Sequence, residues 1–170
     1  MNTGQMMITI GALMLLTTVI LRVNSDFLLS TVQMAESKYE LVAVSLGTSL
    51  IEEAFSKPFD EITANDSLIS SPAALSSNLG PDAGEDTRAQ FDDFDDYNNY
   101  VEYTAGDTSL LSADFKISSK VFYVDPAVSL DGVATKTYFK RIEVEVTSRF
   151  IDNGKDTIRL TKINSHFYFR

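Results

Sequence analysis

The chain opens on an apolar run with no polar stripe, continues in helical spacing, passes through a polar stretch, and ends in alternation. From Met6 to Val23 it reads MMITIGALMLLTTVILRV, with twelve of eighteen positions Met, Ile, Leu or Val. The polar residues before Arg22 are Thr9, Thr17 and Thr18 alone. The core helix of a soluble domain carries a polar face that this run lacks. Eighteen helical residues measure about 27 Å, close to the roughly 30 Å of a bilayer's hydrocarbon. Residues 6–23 are therefore membrane-compatible. A secretory signal would need a basic start and a small-x-small cleavage site, and Met1 to Gln5 and Val23-Asn24-Ser25 supply neither.

Beyond Phe27 the apolar positions Leu28, Val32, Ala35, Tyr39, Val42, Leu46 and Leu50 follow at intervals of three and four, which is one helical face. The pattern predicts a helix of about fifty residues, apolar all round in front and amphipathic behind. It should stop at Ser56-Lys57-Pro58, because proline disfavours helical geometry in the residue before it and donates no hydrogen bond. Asn24-Ser25-Asp26, Gly11 and Gly47 are its expected weak points. Residues 1–57 form an N-terminal rod on this reading, and residues 58–170 a head.

Within the head, residues 58–115 are rich in Ser, Asn, Asp, Gly and Pro and read as acidic loop. Residues 116–170 read as antiparallel strands. KISSKVFYV, Lys116 to Val124, ends at Asp125-Pro126. In Tyr138 to Ile151, Ile142, Val144 and Val146 point one way, and Arg141, Glu143 and Glu145 the other. Asp152-Asn153-Gly154 signals a tight turn into Thr157 to Phe169, where Ile163 suggests a change of face across a bulge. A three-stranded meander needs a cover over its apolar face, and the rear of the helix can supply it. The fold class is α+β.

Charge is segregated in the same way. The net charge of −10 divides into −2 over residues 1–57, −12 over 58–115, where Arg88 is the one basic residue against thirteen acidic ones, and +4 over 116–170. No clustered Lys and Arg footprint for nucleic acid is present. With no cysteine there is neither a disulfide framework nor a thiolate metal site. The densest polar segment is FDDFDDYNNY, Phe91 to Tyr100. Asp92, Asp93, Asp95, Asp96 and Asn98 offer hard oxygen ligands for Ca²⁺, but their spacing fails the EF-hand pattern. A solvated loop pinned by its aromatic residues fits the segment better, and no metal or other cofactor is expected. His166 is the single histidine, and since no motif assigns it general-base work it reads as structural. No nucleophile or nucleotide motif points to an enzyme.

A hydrophobic N-terminal helix, its amphipathic continuation, a polar loop and a C-terminal sheet together resemble the type IV pilins and the pseudopilins of type II secretion. The likeness covers the whole chain as architecture. FDDFDDYNNY, followed by KRIEVEVT and DTIRLTKI, is similar to the middle and final strands of minor pilins of the mannose-sensitive haemagglutinin type. The resemblance implies a non-enzymatic subunit of an extracellular or cell-surface filament. Such a subunit is held in the inner membrane before assembly and partnered by copies of itself and by the assembly machinery. It places Ile8, Ile10, Leu13, Leu16 and Ile20 in the filament core. It also implies a leader cut between Gly4 and Gln5, although Met1 to Gly4 lacks the family's basic residues. The fifth residue after that cut is Thr9, where the family has a glutamate, and the family's proline in the rod is missing, with Arg22 near its place. A minor pilin, a secretion pseudopilin and a single-pass anchor for a binding head are the alternatives. Between heads, the acidic middle of one is expected to face Lys140, Arg141 and Arg149 of the next.

Overall fold

The computed structural model describes residues 2–63, 69–104 and 114–166. Helix α1 runs from Thr3 to Ser56, 54 residues. It ends where the proline predicts: Lys57 N–H closes a last tight turn onto Ala54 O at 3.2 Å, and Pro58 follows. The helix is continuous through Gly11, Asn24-Ser25-Asp26 and Gly47. The chain divides into two compact units, Met1–Lys38 and Tyr39–Arg170, so the last turns of α1 belong with the head.

The head carries one antiparallel sheet of four strands in the order β1-β2-β3-β4. These are β1 Val101–Tyr103, β2 Lys116–Tyr123, β3 Phe139–Thr147 and β4 Thr157–Ser165. The architecture is α+β, as the residue pattern implies. β1, paired through Val101↔Ser118 and Tyr103↔Lys116, is an addition to the expected meander, because three residues are too few to show a period.

Three details of the strands differ from expectation. First, β3 stops at Thr147, not Ile151; Ser148 turns inward to donate to Asp114 O at 2.8 Å, and Ile151 is buried as an anchor. Second, Asp152–Gly154 does form a 3₁₀ turn, but it lies inside a nine-residue connection between β3 and β4 and is not a two-residue hairpin. Third, β4 has no bulge. Its register with β3 is unbroken through Val144↔Leu160, Ile142↔Lys162 and Lys140↔Asn164, so Ile163 faces outward and Lys162 takes the inner position. The Lys162 ammonium escapes burial by lying 4.1 Å above the Phe55 ring and 2.8 Å from Glu52 Oε1, with its stem over the edge of the core.

The rear face of α1 packs on this sheet. Ala43, Leu50, Ile51 and Ala54 share a core with Ile117, Val121, Ile142, Val144 and Val146. Tyr39, Val42 and Leu46 flank it, whereas Leu28, Val32 and Ala35, further forward on the same sequence stripe, are exposed. Gly47 lies tight against side chains of the sheet. A Cβ there would lie 2.6 Å from Leu160 Cδ1 and 3.3 Å from Val146 Cγ2, so glycine serves packing and not kinking. Gly47→Ile should cost about 1–3 kcal/mol by overpacking. Urea unfolding of the full chain in mild detergent would measure this, and Leu160→Ala in the same chain should recover part of the loss.

Candidate functional site

Two surfaces and one buried cluster carry the chemistry of this protein. The first surface is the front of α1, where residues 2–35 are all exposed and one segment is long and apolar enough to cross a membrane. Its threonines do not interrupt that apolar character. The hydroxyls of Thr9, Thr17 and Thr18 donate to the carbonyls of Met6, Leu13 and Met14 at 2.9, 2.8 and 2.8 Å. A hydroxyl satisfied within its own helix needs no partner in an apolar medium.

Of the residues assigned to packing, Leu13, Leu16 and Ile20 share one face by their spacing of three and four. Ile10 borders it and Ile8 projects away from it. All five are exposed. Gly4 and Gln5 lie in the first turn of the helix, where Gln5 N–H donates to Asn2 O at 2.9 Å.

The second surface lies on the acidic segment, which departs from the expected solvated loop. Phe91 to Tyr100 is not a solvated loop. Phe91, Phe94 and Tyr97 are buried, as pinning requires, but so are Asp93, Asp95 and Asp96. The carboxylates satisfy a backbone that forms no ladder. Asp96 Oδ2 accepts from Asp92 and Asp93 N–H at 2.9 and 3.0 Å, and Asp93 Oδ1 accepts from Asp95 and Asp96 N–H at 2.8 and 3.2 Å. Asn98 bridges Leu79 O and Val121 N–H.

The five proposed oxygen ligands therefore do not converge. Asp92 and Asp96 instead meet Glu85, with one carboxylate oxygen from each lying within 4.8 Å of the others. The charge of Asp92 pushes Glu61 above the usual carboxylate range.

Beneath this surface sits Lys140, wholly buried. Its ammonium donates to Phe59 O and to Asp60 Oδ2, each at 2.8 Å, and to Asp95 Oδ1. The Phe59 ring lies 4.6 Å below it and that of Tyr123 lies 5.5 Å away. Burial opposes the charge on Asp60, but Lys140 and Ser76 outweigh it and hold that carboxyl below its ordinary range. Burial pushes Asp95 up to about 6 against the pull of Lys140. Asp93 rises to about 8, through burial first and then the charges of Asp95 and Asp96.

This cluster went unread in the sequence, although one signal was present. Lys140 stands two residues before Ile142 and so shares the inward face of β3. Nor is it free to dock another head. Of the three basic residues assigned to that task, Arg141 is mostly covered and ion-paired to Glu143, and Arg149 alone is well exposed, 3.2 Å from Asp114.

Arg88, the one cation of the acidic zone, ties three segments together. Its guanidinium meets Glu53 at 2.5 Å and Glu102 at 2.7 Å, and Tyr97 OH donates to Glu53 Oε1 at 2.9 Å. The Arg88 hydrogen bonds hold Glu53 below its ordinary range despite partial burial. His166 stacks on Tyr138, with ring centroids 5.7 Å apart, and lies equally far from Phe59.

Compared with protein-family models, curated proteins and solved structures, the chain matches none.

Proposed function

We propose that this protein is a structural, non-enzymatic subunit of an extracellular filament of the type IV pilus kind, held in a membrane by its rod before assembly and polymerising through it. One observation carries the reading: residues 2–35 are exposed throughout, and the hydroxyls of Thr9, Thr17, Thr18 and Thr31 are satisfied within the helix. So large an apolar surface has to be covered by lipid or by protein. Lipid covers it in the stored subunit. In the filament, copies of the same rod cover it, and the heads form the coat. Partners are therefore the membrane, the assembly machinery and further copies of the chain.

The full chain, purified in detergent, is expected to form sedimentable filaments visible by electron microscopy when the detergent is removed. Leu13→Ile, Leu16→Ile and Ile20→Leu together preserve apolarity and change shape. Packed interfaces feel such swaps at up to about 1.5 kcal/mol each; a combined cost of about 1.4 kcal/mol lowers polymer yield about tenfold, with head stability unchanged. A membrane anchor that does not polymerise would give no filaments and would tolerate all three changes.

A further inference from the structure

Among the first 35 residues two carry a charged side chain, Arg22 and Asp26. Both are exposed, and among the described residues neither has a hydrogen-bond or ion-pair partner. They stand one helical turn apart, with the cation on the N-terminal side, which is the weaker order for pairing within a helix. A shallow hollow on the helix surface is lined by Thr18, Leu21, Arg22, Ser25 and Asp26.

We propose that Arg22 of one rod pairs with Asp26 of a neighbouring copy, and that this pair sets the axial register between rods. The inference rests on the filament reading and adds its registration. Bundling the rods removes water from both charges, and an unpaired buried charge costs several kcal/mol. Parallel rods without axial offset set Arg22 beside Arg22 and Asp26 beside Asp26, two repulsive contacts. Displacing one rod by four residues, about 6 Å, sets Arg22 against Asp26.

Each interior copy then offers Arg22 to one neighbour and Asp26 to another. Such a contact is head-to-tail and does not close on itself, so it propagates. The apolar residues on either side reward close packing, but they carry no sign of charge and so add no repulsion against the unshifted register.

The test uses the full chain, transferred from detergent to detergent-free buffer, with pelleted polymer and electron microscopy as readouts. Arg22→Asp and Asp26→Arg should each cut polymer at least about tenfold, and the two together should restore it. The chain has no cysteine, so an Arg22→Cys chain mixed with an Asp26→Cys chain and oxidised should yield mainly the mixed dimer. Wild-type polymer with undiminished single variants, a double variant no better than the singles, or a dominant Arg22→Cys homodimer would each overturn the pairing and leave the filament reading standing. Failure of the wild-type chain itself to polymerise would overturn both.

Discussion

Lys140→Met should destabilise the head by about 3–5 kcal/mol, the cost of leaving a buried ion without its partner. The ammonium is the only cation that meets Asp60 and Asp95 among the described residues, and both acids are buried. Asp60 also anchors the segment after the helix, accepting from the backbone and hydroxyl of Ser76 at 3.0 Å each. Loss of Lys140 therefore loosens that segment, the Asp95 turn and β3 together.

The companion expectation is that Lys140→Met combined with Asp60→Asn and Asp95→Asn recovers a large part of the loss, since replacing a whole buried ion cluster costs far less than breaking it. Urea unfolding of full-length chains in mild detergent measures both. A single variant as stable as wild type would mean that the cluster is wet. Surface substitution at Arg149, which is well exposed beside Asp114, should change stability by less than about 1 kcal/mol.

The second large effect is on pH. Asp93, raised to about 8, and Asp95, raised to about 6, bind protons more tightly folded than unfolded, where an aspartate titrates near about 4. A group of that kind favours the folded state at low pH, and its contribution declines as pH rises from the unfolded to the folded value. For Asp93 the declining window runs from about 4 to about 8, with a slope of at most about 1.4 kcal/mol per pH unit for one proton.

Asp60 and Glu53 have the opposite sign. Their carboxyls lie below the ordinary range, so their contribution is present above the unfolded value and is lost as pH falls through the folded one. The head should thus be most stable in mildly acidic buffer and weaken towards pH 8. Asp93→Asn replaces the carboxylate oxygen that accepts from the Asp95 and Asp96 N–H groups by an amide oxygen that can still accept, and removes the charge. It should flatten the alkaline decline and exceed wild type in urea midpoint at about pH 8. A variant whose stability falls with pH as steeply as that of wild type would show that another group is responsible.

The helix and the strands were legible because each is written in a local period. Pro58 marks the end of α1, and Ile142, Val144 and Val146 mark the inner face of β3. Local period also explains the errors. Ile163 attracted the inner position of β4 because it is apolar, yet the register with β3 assigns that place to Lys162, whose long stem reaches the edge. The acidic segment looked solvated because composition counts charges and does not see partners. Asp93 and Asp96 are bound to backbone N–H groups within four residues, a capping pattern hidden among many similar aspartates.

Residues adjacent in the chain suffice for the uncharged apolar front of α1 from Met6 to Leu21, for the two lone charges Arg22 and Asp26 that follow it, and for the α+β order of elements. Tertiary structure alone decided the fate of Lys140. Its partners Asp60 and Asp95 lie 80 and 45 residues away, and only the packing of β3 beneath the segment that follows the helix brings them within reach. The alternation of β3 puts Lys140 on the inner face but does not say which groups meet its ammonium there. The desolvation cost, and the carboxylates that offset it, exist only once the chain has closed around it.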